Sequence, residues 1–153
     1  DWKLVGKKEM LVPYNTYKLA DRTLKYDDII KPNHLNQDLL RYEQHRVWVV
    51  EATLKPGQRH IYAKRVFYID EDSWGILATD LYDGRGELWR MQEAHTVQRY
   101  DVNSSIAISD LAYDLQARRY IVYGLENEEK ISKFGIKAKL KDFSTAALRR
   151  SGR

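Results

Sequence analysis

Cysteine is absent from the sequence, which removes a disulfide framework, a thiolate metal site and a cysteine nucleophile from these residues. The absence leaves the compartment open, because many exported proteins also lack cysteine. No apolar run approaches the roughly 18 to 20 residues of a membrane-spanning helix. The opening DWKLVGKKEM has no apolar signal-peptide core, and the chain starts at Asp1 without Met, so an upstream segment is expected to have been removed. Catalytic signatures are equally sparse. The histidines His34, His45, His60 and His95 form no HExxH or HxH pair, and a metal would need partners gathered by the fold. None of the serines sits in a GxSxG elbow. Asp83-Gly84-Arg85-Gly86 lacks the third glycine and following helix of a phosphate loop. Asp70-Glu71-Asp72-Ser73 lacks the spacing of a calcium loop and reads as a solvated turn. Paired acids for sugar hydrolysis leave no trace in a sequence. No cofactor motif is present and no cofactor is expected. The excess of positive charge is small, 26 Lys and Arg against 22 Asp and Glu. Part of it lies in Arg149, Arg150 and Arg153, so a solvated surface is favoured over nucleic-acid binding. There is no repeat and no low-complexity tract.

What the chain does have is length and aromatic content. Its 153 residues suit one domain, large enough to bury roughly two-thirds of its unfolded surface. A hydrophobic fraction of 43%, with 11 tyrosines, argues against disorder and for a β-rich protein with half-exposed sheet faces. The organising stretch is Arg41 to Trp74, RYEQHRVWVVEATLKPGQRHIYAKRVFYIDEDSW. Two runs of β-branched and aromatic residues, Val47 to Leu54 and Ile61 to Ile69, flank Pro56-Gly57 and read as a β-hairpin. Alternation puts Trp48, Val50, Ala52 and Leu54 on one face and Val47, Val49, Glu51 and Thr53 on the other. It likewise opposes Ile61, Ala63, Phe67 and Ile69 to Tyr62, Lys64, Val66 and Tyr68. Neither face is wholly polar.

Before that hairpin, Lys8 to Val12 is a short apolar run ended by Pro13, an edge strand. Tyr14 and Tyr17 follow, at a spacing that suits packing better than a cavity lining. Residues 19–40 mix turn and cap residues with Leu24, Ile29, Ile30, Leu35, Leu39 and Leu40, a connector with short helical turns that crosses the mouth or face of the sheet. After it, Trp74 to Leu81 and Glu87 to Arg99 are strands joined at the glycines of 83–86. In the second of these, Leu88, Arg90, Gln92 and Ala94 alternate against Trp89, Met91, Glu93 and His95. If the latter set faces inward, Glu93 and His95 form a polar patch suited to a ligand head group; cross-strand pairing with a neighbouring Arg or Tyr is the plainer reading. Asp101 to Asp110 reads as a loop with a helical turn. Leu111 to Gln116 and Arg119 to Leu125 make a last hairpin turned near Ala117-Arg118. Residues 126–153 are a charged tail in which Phe143 to Arg149 forms a short helix or stays extended. His45 and His60 flank the central hairpin, and either meet across it or stand apart as ordinary hydrogen-bonded or exposed histidines.

The stretch at 41–74, with YDGRGELWRMQEAH at 82–95 and YDLQARRYIVYGLENEE at 113–129, resembles the family known as domain of unknown function 1329 (DUF1329), exported proteins of Gram-negative bacteria. The resemblance runs over nearly the whole chain. It implies a C-terminal portion of a longer protein, located in the periplasm or at the outer membrane. It also implies a fold grouped with the lipoprotein-sorting proteins LolA and LolB: mainly β, a curved antiparallel sheet or incomplete β-barrel with short helices. No catalytic residues come with it. Together with the aromatics on consecutive strands, this supports a non-enzymatic carrier or chaperone for a lipid or other hydrophobic molecule. The expected lining is Trp48, Tyr62, Phe67, Tyr68, Trp74, Tyr82, Trp89 and Met91, with Glu93 and His95 at a head group and no metal. At about 25 cal/mol per Å² of buried apolar surface, one long acyl chain would be a sufficient ligand. The alternative is an interaction module in which these aromatics are core and a sheet edge or basic rim docks on a transport or outer-membrane protein, or on a second copy of the chain.

Overall fold

Seven strands build the protein: β1 (Trp2–Pro13), β2 (Tyr42–Thr53), β3 (Lys64–Asp70), β4 (Ile76–Tyr82), β5 (Leu88–Arg99), β6 (Ser104–Asp114) and β7 (Arg119–Tyr123). The computed structural model describes residues 1–130 and 132–152. Each strand pairs antiparallel with the next, so chain order is also sheet order. A meander of this kind needs only short reversals between neighbours. The one long connection, 14–41, carries helix α1 (Tyr26–Ile29) and a 3-10 turn at Gln37–Leu39. A second helix, α2 (Thr145–Ser151), is capped by the Ser144 hydroxyl accepting from the Ala147 amide at 3.2 Å. The mainly β, open antiparallel sheet with short helices is the architecture expected. No described helix is long and apolar enough to cross a membrane, which leaves crossing by strands untouched.

The sheet curves. Besides its partner β2, β1 touches β4 and β5. Where the chain leaves β1, the Thr16 amide donates to the Thr96 carbonyl at 2.7 Å, and Asn15 Oδ1 accepts from the Gln98 amide at 3.2 Å. On the inner face Val12, Val47 and Leu77 form one core, packed round by Met10, Tyr14, Val49 and Tyr68. The connector lies over the other part of that face and forms a second core, in which Leu19, Ile29 and Leu35 bury against Leu111. Polar ties hold it there. Asn127 Nδ2 donates to the Leu19 and Asp21 carbonyls, each at 2.9 Å, and the Tyr120 hydroxyl donates to the Lys31 carbonyl at 2.8 Å.

Several boundaries differ from the sequence reading, each for a local reason. β1 starts at Trp2, not Lys8; its charges, Lys3, Lys7, Lys8 and Glu9, are tolerated because it is an edge strand with solvent beside it. Gly6, at φ 142, sits at the register shift that lets the strand continue past Val5. The central hairpin has a longer loop than Pro56-Gly57 alone suggests. The ladder ends at Thr53↔Lys64, Gly57 turns at φ 77, and Ile61 lies outside the strands. Residues 104–110 are strand where a loop was expected. Their register against β5 supplies the backbone partners, and this cross-strand context overrides the weak strand preference of Ser and Asp.

Candidate functional site

Pairing register decides which aromatics share a surface, because partners across a ladder point to the same side. Val49↔Tyr68, Tyr68↔Ala78, Ala78↔Glu93 and Glu93↔Leu111 run across the inner face. Lys64↔Tyr82 and Asp80↔Met91 belong to the same side, as does His95↔Ser109. Tyr68, Tyr82, Met91, Glu93 and His95 therefore lie on the inner face. Val50↔Phe67 and the alternation of Trp48 put both of those rings on the outer face, where Trp2 stacks on Phe67 at 5.7 Å between centroids. Lys7 Nζ lies 4.2 Å above the Trp48 ring. Tyr62 also serves the outer side: its hydroxyl accepts from Arg90 at 2.9 Å. The extra residue in β5 opposite Leu81 and Tyr82 turns Trp89 to the same side as Arg90, and its indole donates to Asp114 at 3.2 Å. Trp74 lies in the turn after β3 at φ 57 and is 69% exposed. The residues expected as one lining are thus divided between two faces and a turn.

The inner-face set ends in a polar cluster that is buried at His95 and open to solvent at Tyr42. The Tyr42 hydroxyl donates to Glu93, 3.2 Å from each carboxylate oxygen, and the Tyr42 ring meets His95 edge-on at 6.1 Å. His95 is fully buried, with Nδ1 3.3 Å from Thr16 Oγ1. Its Nε2 stands 3.6 Å from Glu93, beyond hydrogen-bond reach, and has no hydrogen-bond partner among the described residues. Burial, and then the neighbouring Glu93 carboxylate, raises the Tyr42 and Tyr113 phenols above the usual range. Tyr68 is raised too, by burial first and then by its 2.8 Å hydrogen bond to Asp80. Of these phenols Tyr42 and Tyr68 donate hydrogen bonds, and all three stay neutral at neutral pH.

A second cluster, also at the start of β2, has the residue types of a hydrolase or metal site. His45 Nδ1 is 2.9 Å from Asp70 Oδ1, Nε2 is 3.3 Å from Glu43, and Tyr14 stacks on the ring at 4.0 Å. Ligand atoms of His45, Asp70 and Asp72 lie within 4.8 Å of one another. The wiring serves the turn. Asp70 Oδ2 accepts from the Ser73 amide at 2.9 Å and from its hydroxyl at 2.7 Å. The order is Ser–Asp–His, so the serine proton has no path to the imidazole that a nucleophilic triad requires. His60 does not join: it sits in the 54–63 loop against Arg65, at the far end of the hairpin.

The apolar cavity lies elsewhere. At one end of the inner face a groove of about 420 Å³ is walled by Leu19, Val97, Ile106, Ile108, Leu125 and Phe134, with Arg22, Arg99, Glu126 and Asn127 along it. Its size falls in the range of small-molecule sites. None of these wall residues was singled out by the sequence. The available signal was Val97 with Ile106 and Ile108, apolar at alternate positions in a stretch otherwise small and polar.

Comparison with known proteins agrees with this architecture. The uncharacterized protein PA3922 of Pseudomonas aeruginosa is 56% identical over 153 residues, 99% of this chain and 34% of that protein. The chain therefore spans about a third of the length of this curated relative. Among solved structures, a DUF1329 family protein from Desulfovibrio piger aligns over 97% of this chain and 46% of its own, at 15% identity and a TM-score of 0.50. A Vibrio parahaemolyticus domain, provisionally named an outer membrane lipoprotein-sorting protein domain, aligns over 69% of this chain and 43% of its own, with 18% identity and a TM-score of 0.44. The family described as "Protein of unknown function (DUF1329)" matches residues 1–149, and the chain belongs to that family.

Proposed function

We propose that this chain is the binding part of a non-enzymatic carrier or chaperone for a hydrophobic molecule, working in the periplasm or at the outer membrane of a Gram-negative bacterium. The observation that carries the reading is the groove of about 420 Å³ on the inner face of a curved, open sheet, walled by apolar side chains from the connector, β5, β6 and the segment after β7. Apolar ligand surface removed from water there would contribute about 25 cal/mol per Å², enough to hold an acyl chain without any covalent step. The family resemblance, with its grouping beside carrier folds, is in line with this. Titration with the neutral probe N-phenylnaphthylamine tests it. Saturable enhancement of probe fluorescence, competed by unlabelled lipid, is expected, and a protein that leaves the probe dark contradicts the reading.

A second reading has its own observation. β1 is a 12-residue edge on which Trp2, Leu4, Val5 and Leu11 are exposed. An apolar edge strand is a template for strand addition, so docking on a transport or outer-membrane protein is the alternative. Loss of a pull-down partner on Leu4→Lys, with probe binding unchanged, would favour it.

A further inference from the structure

The groove is not uniformly greasy, and its polar residues discriminate among hydrophobic ligands. Arg22 reaches its rim from the connector. Its guanidinium donates to the Glu126 carbonyl and, at 2.6 Å, to the Glu129 carbonyl. These acceptors are neutral, and Arg22 forms no direct ion pair among the described residues, although its charge acts on the nearby Glu126 carboxylate. Arg99 reaches the same rim from β5. It holds Asp101 through Nε and one terminal nitrogen, at 2.8 and 2.7 Å, and its guanidinium lies 4.9 Å from the Phe134 ring centre. A guanidinium carries five donors. Each arginine spends two of them on the protein, and the rest are left for a partner at the mouth. The single acid along the groove, Glu126, is turned to Ser132, accepting from its hydroxyl at 2.7 Å and its amide at 3.3 Å. Those two hydrogen bonds, and then the Arg22 charge, hold Glu126 ionised below the ordinary carboxylate range, so the arginines would meet a ligand through their unspent N–H donors and not through an excess of positive charge.

Resting on the carrier reading above, we propose that the groove takes a single-chain amphiphile with an anionic head, the chain lying between Val97, Ile106, Ile108 and Phe134 and the head held by Arg22 and Arg99. A carboxylate and a phosphate share the required chemistry, since both accept paired N–H donors from a guanidinium. A neutral head of the same chain length would gain the apolar contacts alone. The Tyr68, Met91 and Glu93 end of the inner face would then be packing and hydrogen bonding, and not the ligand's seat.

The test is calorimetric titration of the complete polypeptide with palmitate, palmitoyl lysophosphatidic acid and hexadecanol. Expected is binding of an anionic ligand roughly ten-fold tighter than the alcohol, the worth of a charge-assisted hydrogen bond. The palmitate and lysophosphatidic acid arms separate a carboxylate head from a phosphate head. The double variant Arg22→Gln with Arg99→Gln should lose that advantage while hexadecanol affinity holds. Phe134→Ala, at a half-exposed position where folding is not at stake, should weaken both kinds of ligand. Equal affinity for anion and alcohol, or anion binding unchanged in both variants, overturns the assignment. If N-phenylnaphthylamine still binds in either case, the carrier reading survives with its site elsewhere. If no hydrophobic probe binds at all, both fall.

Discussion

His95 shows how single residues define the inner face. It is fully buried, one ring nitrogen meets Thr16, and the other has no hydrogen-bond partner among the described residues. Its placement beside Glu93 follows from the two-residue period of β5 and is legible in the sequence. Its contacts are not, because Thr16 and Tyr42 come from the connector and from the start of β2, which only the curvature brings across. The same holds for the raised phenols of Tyr42, Tyr68 and Tyr113, whose first cause is burial. A phenol whose folded pKa is above its unfolded value, near 10, contributes stability that is fully present below the unfolded value and is lost as pH rises through the folded one. Ionisation of these phenols should therefore weaken the fold in strong alkali, and a tyrosinate absorbance titration should show them ionising last, together with unfolding. Ionisation of all 11 tyrosines in one ordinary step would contradict this. Leu111 is the packing counterpart, buried between the sheet and the connector. Leu111→Ala should cost about 2 to 5 kcal/mol in urea unfolding, and a loss well under 1 kcal/mol would mean that the connector does not rest on it.

Among the elements, the turn between β4 and β5 was readable from its glycines, and Asp83 closes it. Its carboxylate accepts from the Arg85 side chain at 2.8 and 3.1 Å and from the Arg85 and Glu87 amides at 2.9 and 3.1 Å. The Arg85 side chain, followed by those amides, pulls the Asp83 pKa down to about 2. A depressed carboxylate contributes stability above its unfolded pKa, near 3.9, and loses it as pH falls through the folded value. Asp83→Asn should therefore lower Tm at neutral pH, with the gap to the parent closing between about pH 4 and 2. A constant gap would assign the effect to something other than the charge. Gly124, after β7, is held by geometry: φ is 87, and an added Cβ would meet the Ile108 carbonyl and Ser109 Cα at 3.4 Å each. Gly124→Ala should destabilise by about 1 kcal/mol or more, shifting the urea midpoint. Strands β1 and β6 were the elements hardest to read, since their charges and serines carry little strand preference alone and their partners supply the missing drive.

At the scale of the whole molecule, an antiparallel sheet was legible from the alternating runs and its curvature only through the family resemblance, but the location of its cavity was not legible. The aromatics that drew attention are spread over both faces, while the groove is walled by Phe134 and aliphatics from segments far apart in sequence. Openness has its own consequence. With β1 as an apolar edge, the chain on its own should self-associate in a concentration-dependent way in sedimentation velocity, and Leu4→Lys should suppress it. A monomer at every concentration would contradict that. The carrier claim itself is tested most directly by organic extraction and mass spectrometry of the protein purified without detergent. The account predicts a co-purifying single-chain amphiphile in near-stoichiometric amount, reduced in the Phe134→Ala variant. A preparation that yields no lipid, and that takes none up on incubation with an extract of Gram-negative membranes, would contradict it.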